Sequence, residues 1–148
     1  MKWVVLLLLS LTAGCDALPR DPAETTQRIK TSREFTVGFA DAHVRAASEA
    51  TRLLSEIERR TSARPRFVAL EGEPLLKALD AGEVDLVIGR FAEDSPWATE
   101  VAFGPALATG GPKGDRQELK AAMRNGENRW IMTVERASRA ISAEARRQ

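Results

Sequence analysis

The sequence predicts an α/β fold, a three-layer arrangement in which a mostly parallel sheet carries helices on its two faces. Three observations predict it. Short aromatic or β-branched runs at 35–39, 66–70 and 84–89 alternate with longer stretches of helical spacing, and that strand–helix–strand–helix–strand order gives right-handed crossovers between parallel neighbours. The run Val84-Asp85-Leu86-Val87-Ile88-Gly89 is apolar on both of its alternating sets apart from Asp85, as in a strand covered on both faces. A length of 148 residues, 43% apolar and 29% charged, suits one globular domain and excludes disordered, collagenous and multi-span membrane chains.

The chain opens with Met1-Lys2 and an eleven-residue apolar run, Trp3 to Ala13. A spanning helix needs about 20 apolar residues, so this run has the proportions of the core of an export signal. It ends at Thr12-Ala13-Gly14-Cys15, which holds the sequence's one cysteine and resembles the lipobox of bacterial lipoproteins. Thr12 stands where that motif usually has Leu. The resemblance implies that residues 1–14 are removed and that Cys15 is diacylated and becomes the first mature residue. Two acyl chains plus an amide-linked third hold a protein stably on a membrane, because each buried methylene contributes about 0.8 kcal/mol. The expected location is the bacterial cell envelope, facing the periplasm. Asp16 favours the inner membrane, by its similarity to the retention signal of enteric lipoproteins. Loss of Lys2 with the signal leaves equal numbers of basic and acidic side chains, so no bulk field steers the protein onto nucleic acid.

Residues 15–34 read as the lipidated terminus and a polar tether with Pro19 and Pro22, containing a short helical turn around Thr25 to Ile29. The folded lobe is expected over 35–148. Phe35 to Phe39 is the first strand. Ala46, Ala50, Leu53, Leu54 and Ile57 then recur at helical steps, predicting an amphipathic helix from Ala42 to Ser62 with Asp41 as N-cap and Pro65 beyond its end. Arg66 to Leu70 is the second strand. A helix through Pro74 to Leu79 stops at Gly82, and Val84 to Gly89 is the third strand. Glu100 to Phe103 reads as a short strand, 106–114 as a glycine-rich connection, and 117–123 as a strand or a helix. Trp130, Ile131, Val134, Ala137 and Ile141 define a final helix with Asn128 as its candidate N-cap.

Several of these segments together resemble a known family. A strand ending Val37-Gly38, Glu49 on an amphipathic helix, the block Leu75-Leu76-Lys77-Ala78-Leu79-Asp80-Ala81-Gly82-Glu83-Val84-Asp85-Leu86-Val87-Ile88-Gly89, then Pro96-Trp97 and a strand into Gly104-Pro105 are similar to the first lobe of type II periplasmic solute-binding proteins of the amino-acid sort. Leu18-Pro19-Arg20-Asp21-Pro22 and Gly126-Glu127-Asn128-Arg129-Trp130 resemble the leader and closing segment of one subgroup. Members of that family carry a second lobe after the Gly-Pro strand. Here about twenty residues separate Pro105 from Gly126, too few for a compact domain. The resemblance therefore implies a single lobe.

In an open α/β sheet a ligand sits outside the carboxyl ends of the strands. Those ends nominate Asp41, His43, Glu71, Gly89, Arg90 and Phe91 as ligand-binding residues. Arg90 could pair in bidentate fashion with a carboxylate or phosphate, or it could fill the vacated half-cleft or bridge to Glu93. A lone His with no second His or Cys beside it is far more often a surface or capping residue than a metal ligand. No metal and no cofactor are expected. The sequence shows no nucleophile–base–orienter set, so no enzyme activity is expected either, and Trp97 and Trp130 read as packing residues. Two functions stay open. One is a membrane-anchored module that recognises a small polar solute, such as an amino acid, for an ABC-type permease or a sensor, with a homodimer supplying the missing wall. The other is an envelope scaffold or regulatory partner that has lost its ligand.

Overall fold

Residues 20–148 are described by a computed structural model, and Cys15 with the segment expected to be an export signal lies outside them. The first described helix is α1 (Thr25–Ser32), followed by strand β1 (Glu34–Phe39), helices α2 (Ala42–Arg45) and α3 (Ser48–Thr61), and strand β2 (Arg64–Phe67). Helix α4 (Gly72–Ala81), strand β3 (Leu86–Ala92), a 3₁₀ turn at Pro96–Thr99 and strands β4 (Val101–Phe103), β5 (Ala108–Gly110) and β6 (Gln117–Arg124) come next. Helices α5 (Asn128–Ile141) and α6 (Ala143–Arg147) end the chain.

The sheet order is β2-β1-β3-β6-β4, with β5 also paired to β6. Strand β1 pairs in parallel with β2 and β3, whereas β6 runs antiparallel to β3, β4 and β5. Only β6 among the described strands opposes the rest, so the sheet is mostly parallel, as expected. Strands β4 and β5 flank the same side of β6 and form one interrupted edge. The hydrogen bonds Gly104 N–H to Ala121 O and Leu107 N–H to Leu119 O bracket the interruption.

Alternation along each strand divides the core between two faces. Phe35, Val37, Phe39, Leu86, Ile88, Leu119, Ala121 and Met123 pack on one face with Leu53 and Ile57 of α3 and Trp130 and Val134 of α5. Val87, Phe91, Val101 and Ala122 pack on the other face with Leu75 and Leu79 of α4. The three layers follow from this division. Helix α4 ends where Gly82 adopts φ 80° and its N–H bonds back to Ala78 and Leu79 carbonyls, a left-handed cap that needs glycine.

Several expectations change. From Arg20 onward the predicted tether is folded into the lobe: Ile29 is buried, and α1 packs against β1 and α5. The apolar content of this stretch is low because carboxylates hold it, namely Glu127, which accepts from Ala23 N–H at 2.8 Å and Thr25 N–H at 3.2 Å, and Asp21. The predicted helix from Ala42 to Ser62 is two helices, because Ala47 is extended at ψ 135°; Asp41 caps the first, accepting from Val44 N–H at 2.9 Å, and the break seats Val44 in the core. The second strand lies two to three residues earlier than predicted, and Pro65 falls inside it. Arg64 N–H and Val68 N–H donate to Arg33 and Val37 carbonyls, so Pro65 turns its missing donor to the free edge, where proline is tolerated. The glycine-rich connection contains β5. The ambiguous segment 117–123 is a strand, and the final helix is split by Ser142, whose hydroxyl donates to Leu107 O and accepts from Ala145 N–H. Asn128 is the first residue of α5 rather than its cap. Asp21 does that work from across the fold, accepting from Arg129 N–H at 2.7 Å and Trp130 N–H at 3.2 Å.

Candidate site at the carboxyl ends of the strands

Strands β1 to β5 all end at the same edge, and β6 begins there, so the topology collects the connections after β1, β2, β3 and β5 along one side of the sheet. Between the β3 exit, at Glu93 and Asp94, and the β5–β6 turn, at Lys113 to Arg116, lies an open groove of about 760 Å³. Its walls carry both signs of charge. Glu93 and Asp94 line one side and Lys113, Asp115 and Arg116 the other, a lining suited to a polar or zwitterionic molecule.

The six nominated residues do not converge on this groove. Asp41 spends its carboxylate on capping α2, with His43 Nδ1 3.8 Å away, and the His43 side chain is 98% exposed. Glu71 precedes α4 and is exposed, without a capping bond. Gly89 is buried because Phe91 leans over it: a Cβ there would fall 2.7 Å from the Phe91 ring and 3.0 Å from Ala40 Cβ. Phe91 in turn packs on Phe103, with ring centroids 4.7 Å apart. Arg90 alternates onto the opposite face, in register with Leu119, and is exposed. It forms no ion pair with Glu93; among the described residues it has no hydrogen-bond or ionic partner, and its guanidinium lies over the end of β5 near Gly110.

What sequence reasoning missed is the partner strand. Lys120 stands opposite Gly89 in the ladder. It is only 6% exposed, bonds to Glu118 at 2.8 Å and sits 4.6 Å above the Phe103 ring. A buried ammonium requires such compensation, and a carboxylate with an aromatic face provides it. The signal was present as strict alternation, with Glu118, Lys120 and Ala122 on one face and Leu119, Ala121 and Met123 on the other; this period of two marks a strand. Among the described residues no group of three or more His, Cys, Asp or Glu could hold a metal ion, and no helix is long and apolar enough to cross a membrane.

Comparison of this architecture with solved structures decides its class. A point mutant of the arginine-bound form of domain 1 from TmArgBP superposes with a TM-score of 0.65 at 19% identity, covering 78% of this chain and 96% of that one. The protein has the type II periplasmic-binding fold, as a single lobe. The unmutated domain 1 gives a TM-score of 0.63 at 18% identity, covering 76% of this chain and 97% of that one. The lobe is also similar to an ancestral amino acid-binding protein described as a precursor of cyclohexadienyl dehydratase, with a TM-score of 0.65 and 11% identity over 78% of this chain and 92% of that one. No protein-family model and no curated protein sequence matches the chain. In the lobe, the groove between Asp94 and Lys113 lies where the rule for open sheets places a ligand.

Proposed function

We propose that this protein is a membrane-anchored solute-binding lobe that recognises a small polar solute, an amino acid in the first instance, at the carboxyl edge of its sheet and presents it to a permease or sensor. One observation carries the reading: the lobe matches nearly the whole of a single binding domain that is described in an arginine-bound form. One lobe can thus be a unit of recognition. The mixed charge of the Glu93–Arg116 groove supports a zwitterionic solute, and a homodimer would close its open side. Anchoring rests on Cys15 and its flanking residues, with Asp16 favouring the inner membrane.

Thermal unfolding of the full chain in mild detergent, with each amino acid at roughly 10 mM, tests the binding reading. A ligand at 100 times its Kd adds about 2.7 kcal/mol to stability. No stabilisation by any amino acid or small polycarboxylate would overturn it. Replacing Cys15 with Ser should release the protein from membranes; unchanged partitioning would refute the anchor. A second reading, an envelope scaffold that no longer binds solute, is favoured by the Phe91 ring, which already occupies the space above Gly89. The same ligand screen separates the two.

A further inference from the structure

The chain enters the lobe at the amino edge of the sheet, where the parallel strands begin. The carbonyl of Arg20, the first described residue, accepts from Asn128 N–H at 3.0 Å, so it lies beside the start of α5, just after β6 leaves the sheet. Cys15 is five positions earlier, and five extended residues span at most about 18 Å. An acylated Cys15 therefore keeps this edge close to the bilayer. One corner of the same edge is basic. Helix α1 ends there with Lys30 and Arg33, α3 ends there with Arg59 and Arg60, and β2 begins there with Arg64, all five of them exposed. The corner is tied together by Arg33, whose guanidinium donates to Ser62 O at 3.4 Å and whose carbonyl accepts from Arg64 N–H at 2.8 Å. Two acids stand among these cations. Glu56 is shared by Arg59 and Arg60, and Glu34 follows Arg33. The Lys30 and Arg64 side chains have no hydrogen-bond or ionic partner among the described residues.

The other corner of the edge differs. At the end of α4, Asp80 and Glu83 are exposed and Arg124 lies over Gly82, so the charges there are mixed. Helix dipoles favour cations in the last turns of α1 and α3, but they do not act on Arg64 at the start of an edge strand. A cation beside an anionic bilayer gains about a fivefold partition, within reach of a Debye length. Five cations against two acids make a weak site alone, and a short tether fills it by supplying a high effective concentration. We propose that this corner, through Lys30, Arg33 and Arg64 above all, docks on a surface of anionic phospholipid headgroups and holds the lobe with its carboxyl-edge groove turned away from the bilayer. The docking depends on the Cys15 anchor proposed above, since the corner by itself binds weakly. A permease or sensor must then reach the groove with a segment that stands off the membrane.

Fluorescence quenching on vesicles tests this with the full acylated chain. Thr31→Cys puts a thiol-reactive label at the basic corner and Ala69→Cys puts one at the carboxyl edge, both at exposed positions. Each labelled chain is reconstituted in vesicles of phosphatidylcholine alone, or of phosphatidylcholine and phosphatidylglycerol in equal parts, with a nitroxide on a fraction of the headgroups. In the anionic vesicles the label at position 31 should be quenched and the label at position 69 should not. Lys30→Gln and Arg64→Gln should each shift the ratio of docked to undocked lobe about fivefold toward undocked. Salt at about 0.5 M should abolish the quenching, while every chain stays on its vesicles. The parent chain takes up label only if the Cys15 thiol is free, so failure of the anchor is read separately, and the docking falls with it. With the anchor intact, docking is overturned if the label at position 31 is quenched equally in neutral and anionic vesicles, if both charge variants behave as the parent does, or if the label at position 69 is quenched as strongly.

Discussion

The two edges of the sheet are built on opposite terms. At the amino edge Asp85, Glu127 and Asp21 are all committed. Asp85, 4% exposed, accepts from Thr36 N–H at 2.8 Å and pairs with Arg28, while its carbonyl accepts from Trp130 Nε1 at 2.8 Å. Glu127 holds the start of α1, and Asp21 holds the start of α5 and accepts from Thr26 N–H at 3.0 Å. Each of the two helices is thus held at its amino end by an acid supplied from outside it, which satisfies donors that helix ends leave open. At the carboxyl edge Arg90 has no such partner, and Glu93, Asp94, Lys113 and Arg116 line a groove open to solvent. The contrast teaches where stability and recognition reside. Groups tied up in the fold cannot serve a ligand, and groups left free contribute little to folding.

Substitutions can break or sharpen that contrast. Trp130→Ala should have the largest effect: the ring is 1% exposed and packs on Phe35 at 5.9 Å, and its loss should cost about 3–5 kcal/mol in urea unfolding followed by circular dichroism. Asp85→Ala should cost about 2–3 kcal/mol by the same measurement, because Thr36 N–H is left buried without an acceptor and Arg28 without its partner. A cost below about 0.5 kcal/mol would mean that the amino edge does not hold the lobe together.

Glu56 on α3 is an intermediate case, half-buried and bonded to Arg59 at 2.7 and 2.9 Å and to Arg60 at 2.7 Å. Those guanidinium groups, Arg59 first, lower its pKa from 4.5 to about 2. A carboxylate with a depressed folded pKa stabilises above its unfolded pKa, and that contribution is lost as pH falls toward the folded value. Glu56→Gln should therefore cost about 0.5–1 kcal/mol at neutral pH, once solvent screening is allowed for, and almost nothing near pH 2. Unfolding at the two pH values measures the difference. Arg90→Gln should be the mildest, within about 0.5 kcal/mol of wild type. A larger loss would show that the carboxyl edge is structural after all.

How much was legible can be judged from particular elements. The strands at Phe35–Phe39 and Leu86–Gly89, the helix ending at Gly82 and the helix beginning near Trp130 were readable, because each carries its own periodicity or cap within a few residues. The 20–34 segment was misread as a tether because the acids that order it lie about a hundred positions away, or cap a helix that far away. The long helix was read through Ala46 and Ala47 because alanine disfavours nothing there, and only the seating of Val44 decides the break. At the candidate site the sequence nominated residues by their place after a strand. The capping role of Asp41 was legible, yet the sequence could not show that Phe91 fills the space over Gly89 or that Lys120 lies opposite.

By itself, then, the sequence determined the fold class, the order of its main elements and the shortness of the segment between Pro105 and Gly126, since these follow from local pattern and spacing. The tertiary structure alone decided which charges are consumed and which are free. That division depends on contacts between residues far apart in the chain, such as Asp21 with Arg129 and Gly89 with Lys120, and no local periodicity encodes it.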